Sequence, residues 1–175
     1  MKQNEKLILI DADVVSHFLV GGYILTLPHI FPYPIRVLDQ VYAELERFPN
    51  RKREVDNLLN LKLIGKMAFP ESDVNIKKEF FRLRRNRGVG ESACMAVARY
   101  RNNILASSNL RDVKDYCEAF KITYLTTMDF LCQALKSGKM SLIQCDEFIS
   151  AVKAKRGKLP VERMDYFKCR DILIQ

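Results

Sequence analysis

"KLILIDADVV", residues 6–15, sets the architecture of this chain. Leu7 to Ile10 is an unbroken apolar run, the pattern of a strand buried on both faces in a parallel sheet. Asp11 and Asp13 follow at its C-terminal end. The crevice beyond the C-terminal ends of parallel strands is where open α/β sheets bind ligands. Charge at that spot therefore points to chemistry as well as to fold.

Outward from this strand, apolar runs alternate with helical patterns. "NNILASSN" (102–109) and "ITYLTT" (122–127) read as further strands. "SDVNIKKEFFRLRRN" (72–86) reads as a helix capped by Ser72 or Asp73 and stopped before Gly88. "MDFLCQALKSG" (128–138) reads as a helix with Gly138 at its C-terminus. After Pro34, "IRVLDQVYAELERF" (35–48) reads as helical throughout, because Val37, Val41, Leu45 and Phe48 recur at spacings of four, four and three. The alternation predicts an α/β fold, a three-layer α/β/α sandwich around a mostly parallel sheet.

The bulk properties agree. The chain has 175 residues, 48% hydrophobic, enough for one substantial core. Residues 1–157 read as one domain and 158–175 as a C-terminal tail packed on it. The formal net charge of +8 is compatible with a polyanionic partner. No run approaches 18 apolar residues and no leader pattern opens the chain, so a cytoplasmic protein without membrane contact is expected. The five cysteines are widely spaced and never CxxC, which reads as reduced thiols. With only two histidines and no ligand-spaced cysteines, zinc is disfavoured.

"RNRGVGESACMAVARY" (85–100) holds a glycine turn that three chemistries could use. A dinucleotide loop needs a third glycine after a strand, and a Walker loop needs GK[ST]; neither is present. A nucleophile elbow needs GxSxG and a histidine base, and "GESAC" lacks the second glycine. Cys94 as nucleophile needs a similar histidine base, for which only His17 and His29 could serve. Glu91 remains, opening a helix of small residues. Asp11 and Asp112, the latter in "ASSNLRD", occupy matching positions after strands, and Glu44 lies near the packed face of its helix. Converging carboxylates repel one another, and a divalent cation resolves this. Oxygen ligands suit Mg²⁺ or Mn²⁺.

These stretches resemble the PIN domain family of metal-dependent nucleases, which includes toxins of bacterial toxin–antitoxin pairs. "LILIDADVV" matches the first motif at Asp11, "VLDQVYAEL" the second at Glu44, "GVGESACMAVAR" the third at Glu91, and "ILASSNLRDV" the fourth at Asp112. The match runs over roughly residues 7–135. It departs at Asn109, where many members carry Asp. The resemblance implies a ribonuclease that cleaves phosphodiester bonds in single-stranded or loop RNA. Asp11, Glu91 and Asp112 would hold one or two ions. Glu44 would be a ligand or position the attacking water. Asp13, Ser108, Asn109 and Asp129 would support the site. Arg82, Arg84, Arg85 and Arg87 would hold the RNA backbone. A small antitoxin partner and a homodimer are further implications. The departure at Asn109 carries an alternative, a catalytically inactive RNA- or protein-binding module on the same fold.

Overall fold

The apolar run before Asp11 forms strand β1 (Ile8–Ile10), with all three residues buried. It lies at the centre of a five-stranded sheet in the computed structural model, which describes residues 6–172. Residues 1–5 and 173–175, assigned above to the start of the domain and the end of the tail, lie outside the described residues. The other strands are β2 (Ile35–Leu38), β3 (Gly65–Met67), β4 (Ile104–Ala106) and β5 (Tyr124–Leu125). Their order is β3-β2-β1-β4-β5, and every pair is parallel.

Parallel neighbours need crossover connections, and helices supply them. They are α1 (Ala12–Val20), α2 (Asp39–Leu45), α3 (Pro49–Asn60), α4 (Val74–Leu83), α5 (Val89–Arg101) and α6 (Leu110–Ala119); α7 (Thr127–Lys136) and α8 (Leu142–Ala154) follow the last strand. The chain builds outward from β1 to β3, then returns to place β4 on the other side of β1. The topological switch point thus lies between β1 and β4, where open parallel sheets form their ligand crevice.

The reading of 35–48 as one helix is corrected. Ile35–Leu38 is the strand β2, and the helix begins at Asp39. Ile35, Val37 and Leu38 are buried as in an interior strand, so Val37 belongs to the sheet and its spacing to Val41 is a coincidence of period. Phe48, the fourth member of the supposed stripe, is half exposed. The reading of all thiols as reduced is also corrected. Cys132 on α7 and Cys169 form a disulfide across 37 residues of sequence, with Cα atoms 5.9 Å apart. Cys94, Cys117 and Cys145 are free and buried. Among the described residues no helix is long and apolar enough to cross a membrane.

Two features hold the site-bearing helices in place. Phe18 on α1 meets Phe130 on α7 and Phe148 on α8 edge-on, at 5.8 and 5.0 Å between centroids. Such pairs each contribute about 1 kcal/mol beyond their buried area. On the other helices, the buried carboxylate of Glu79 joins three elements. It accepts two bonds from Arg82 on its own helix α4, one from Arg99 on α5 at 2.9 Å and one from the Tyr116 hydroxyl on α6 at 2.7 Å. The Arg82 guanidinium, with the other donors, holds Glu79 down to about 2. Arg82 is half exposed, so water screens its share, while Arg99 is three-quarters buried.

Glu79→Ala leaves Arg99 and Tyr116 without their acceptor and is expected to destabilise the fold by about 3 kcal/mol in urea denaturation. Because the folded value lies below the unfolded one, this stability is present above about pH 4.5 and fades as pH falls toward 2. The Glu79→Gln protein should lack that part of the acid sensitivity; an unchanged acid profile would contradict the assignment.

Candidate active site

Asp11 stands directly beyond β1. Its N–H donates to the Ala106 carbonyl at 2.8 Å, which continues the β1–β4 ladder and locks Asp11 beside the end of β4. It is the N-cap of α1, its Oδ1 accepting the Ala12 N–H at 2.8 Å. Asp13, one step into α1, reaches across the switch point. Its Oδ2 accepts the Ser108 N–H at 2.8 Å and the Ser107 hydroxyl at 3.4 Å.

Glu91 enters from α5, which is buried from Gly90 to Ala98 against the sheet. Small residues make that possible: Ala93, Ala96 and Ala98 let the helix lie close to the strands. Glu44 enters from α2. Its Oε1 accepts the Gly90 N–H at 2.8 Å, one of the orphan donors of the first turn of α5. A Cβ on Gly90 would stand 3.0 Å from Glu44 Oε2 and 3.0 Å from Val41 Cγ2. The second glycine of "GVG" is thus the seat of Glu44 rather than part of a phosphate loop.

Asp112 comes from the first turn of α6, with Asn109 as that helix's N-cap. The Asn109 side-chain amide donates to Glu91 Oε1 at 3.0 Å and to Asp112 Oδ2 at 2.7 Å, bridging the two carboxylates. Arg87 donates through Nε and Nη2 to the Asp112 carbonyl, at 3.3 and 3.1 Å, and fastens the loop before α5 to α6.

Asp11, Asp13, Glu44, Glu91, Asn109 and Asp112 line one cleft of about 560 Å³, with Arg84, Arg85 and Arg87 on its rim. None of the five carboxylates makes a salt bridge among the described residues. Burial pushes Asp11 well above the usual carboxylate range, and the charges of Asp13, Glu91 and Glu44 add to the rise. Burial also raises Asp13. Glu91 is pushed up to about 7 by burial and by Asp112, against the opposing Asn109 hydrogen bond. This is a field of like charge in want of a cation.

Two residues named from sequence stand elsewhere, and a third, Ser108, meets the cleft through its N–H on Asp13. Arg82 is turned onto Glu79 and does not line the cleft. Asp129 is buried in the capping box of α7, where its carboxylate holds the Thr126 N–H and pairs with Arg170 at 2.7 Å. The Ser108 hydroxyl is engaged with Thr127, 2.6 Å from its Oγ1, and accepts the Thr127 N–H at 2.9 Å. Thr127 Oγ1 also lies 2.8 Å from His17 Nδ1, so a chain of polar groups ties α1, the β4–α6 loop and α7 beneath the cleft. Burial lowers His17 to about 4, and it is neutral. Sequence reading overlooked Thr127 and the role of Gly90. The signal for Gly90 was its place one residue before an acidic helix start.

The donor set fits a hard divalent cation: it is made of carboxylate oxygens without salt bridges among the described residues, and no imidazole or thiolate lines the cleft. Among the described residues, no three acidic, His or Cys groups stand close enough to form a ready-made metal cluster.

No protein-family model matches the chain, and no curated protein does. Among solved structures, the chain is similar to VapBC2 from Rickettsia felis, determined bound to a DNA fragment from their promoter. The TM-score is 0.51 at 13% identity, over 69% of this chain and 98% of that one. A PilT N-terminus domain protein from the archaeon Sulfolobus solfataricus superposes with a TM-score of 0.45 at 11% identity, over 74% of this chain and 94% of that one. The fold is PIN-like, a three-layer α/β/α sandwich, as the resemblance implied.

Gly90→Ala forces Glu44 or Val41 aside. Ala's better helix propensity offsets part of the crowding, and a net loss of about 1 kcal/mol is expected. In a Glu44→Ala background the same change should cost less; equal costs in both backgrounds, by urea denaturation, would show that Gly90 does not seat Glu44.

Proposed function

We propose that the protein is a Mg²⁺- or Mn²⁺-dependent endoribonuclease that hydrolyses phosphodiester bonds in single-stranded or loop RNA. One observation carries the reading: five carboxylates share a cleft at the β1/β4 switch point and none of them forms a salt bridge among the described residues. A bound divalent cation would supply charge neutralisation at the phosphoryl group and a water of lowered pKa.

The residues divide the work by position. Asp11, Glu91 and Asp112 hold the cation, with Asp13 beside them. Glu44, anchored through Oε1 on the Gly90 N–H, keeps Oε2 to orient the attacking water and accept its proton. Arg84, Arg85 and Arg87 on the rim bind the phosphodiester backbone. Asn109 sets the spacing of Glu91 and Asp112, and its two hydrogen bonds must yield for both carboxylates to face a cation. Residues 1–157 carry this unit, with 158–175 as a tail. The similarity to VapBC2 supports a toxin reading with a small antitoxin partner; a homodimer and a cytoplasmic setting rest on the resemblance of the sequence motifs alone.

A second reading has its own observation. The Asn109 amide stands as a donor between Glu91 and Asp112, which favours a non-catalytic RNA- or protein-binding module.

Metal titration separates the two. Mn²⁺ at about 100 times its Kd adds about 2.7 kcal/mol to stability, read as a rise in Tm of several degrees. Asp11→Asn should abolish both that rise and RNA cleavage. Equal Tm values with and without Mn²⁺, together with uncut single-stranded RNA, would favour the inactive module. Asn109→Asp replaces the bridging donor with a carboxylate and should tighten Mn²⁺ binding by about tenfold in calorimetry. Unchanged affinity would place Asn109 outside the cation's reach.

A further inference from the structure

A second cavity opens along α1. It holds about 330 Å³ and is lined by Ala12 and Asp13, by Ser16 and His17, and by Arg51, Lys155 and Arg156. Ala12 and Asp13 also line the carboxylate cleft, so the two cavities meet across the first turn of α1. Their charges are opposite. The cleft gathers carboxylates; its neighbour gathers three cations around a neutral histidine, with Asp13 at the shared boundary.

The cations come from two distant segments, α3 and the turn after α8. That turn is fixed by close packing: the Gly157 N–H donates to the Val152 carbonyl at 2.9 Å, and a Cβ on Gly157 would stand 2.4 Å from Val152 Cγ1 and 3.4 Å from His17 Cδ2. Lys155 and Arg156 are therefore held against α1. No salt bridge engages Arg51, Lys155 or Arg156 among the described residues, although Lys153 nearby pairs with Glu162. The Arg51 guanidinium stacks over the half-exposed Phe48 ring at 4.2 Å from its centroid. Stacking occupies the face of a guanidinium and leaves its N–H edge for an anion.

We propose that this basic cavity is a second phosphate subsite, through which a single-stranded polynucleotide runs on from the carboxylate cleft. Arg84, Arg85 and Arg87 grip the backbone on one side of the cleft, and Arg51, Lys155 and Arg156 grip it on the other. The acidic centre then lies between two cationic banks, and the strand is held on both sides of the bond facing the carboxylates. This inference rests on the cleft being where a phosphodiester is bound, and its test needs no cleavage.

The test is binding of a fluorescein-labelled 12-nucleotide oligouridylate to the full chain, in EDTA, from 50 to 300 mM salt. Each lost phosphate contact lowers the slope of log K against log salt by about 0.7 for a single strand. The Arg51→Gln/Lys155→Gln/Arg156→Gln protein should lose about two units of slope and at least tenfold in affinity at 100 mM salt. A control of equal charge, Lys77→Gln/Lys78→Gln/Lys114→Gln, removes lysines that line neither cavity and should keep the slope. Arg156→Lys should retain most of the binding, and equal melting temperatures exclude misfolding. Equal slopes for the two triple variants, or an unmodified protein that does not bind the oligonucleotide, would overturn the subsite. A poly-glutamate peptide bound as tightly as the oligonucleotide would overturn it in favour of an acidic polypeptide. The nuclease reading fails separately: binding with the predicted slopes but no metal-dependent cleavage leaves the subsite standing. Cleavage with equal slopes removes the subsite alone.

Discussion

Like charge held together at the end of a sheet is the constraint around which this structure is arranged. Asp11, Asp13, Glu44, Glu91 and Asp112 share one cleft, and burial makes each unit of charge there expensive. The fold keeps them in place with neutral donors. The Ala12, Ser108 and Gly90 N–H groups, with the Asn109 amide, each hold a carboxylate oxygen. None of these donors carries the positive charge that would remove the repulsion. The stability that tolerates it resides elsewhere: in the buried strands, in the Phe18–Phe130–Phe148 cluster, and in the Glu79 knot joining α4, α5 and α6. That division is the pattern expected of a site built for a ligand that supplies the missing charge.

The legible part of the fold was the part governed by local pattern. Leu7–Ile10 announced a buried strand, and Asp73 caps α4 as its place before the helical pattern implied. β2 was misread because Val37, Val41 and Leu45 keep a helical spacing across a strand-to-helix junction. Only tertiary burial of Ile35 and Val37 separates the two. The disulfide was illegible for a similar reason. Cys132 and Cys169 lie 37 residues apart, and nothing local brings them to within 5.9 Å.

The site divides along the same line. Each acidic residue that ends a strand or opens a helix could be found from its own neighbours. What connects them could not. Asn109 reads as a lost charge in sequence, and in the structure it is the bridge between Glu91 and Asp112. Gly90 reads as part of a turn, and it seats Glu44 from 46 residues away. Arg82 and Asp129 show the opposite case: charges that looked functional by proximity in sequence are held by Glu79 and Arg170. The net charge of +8 likewise hides a cleft of five carboxylates, with a cavity of three cations sharing Ala12 and Asp13 with it.

The central claim is that the carboxylate cleft receives a divalent cation. Anomalous scattering from crystals grown with Mn²⁺ tests it most directly. The account predicts one or two peaks in the cleft, within coordination distance of Asp11, Glu91 and Asp112, with the Asn109 amide displaced from between the last two. A cleft without a peak at saturating Mn²⁺, or peaks found only elsewhere on the surface, would contradict it.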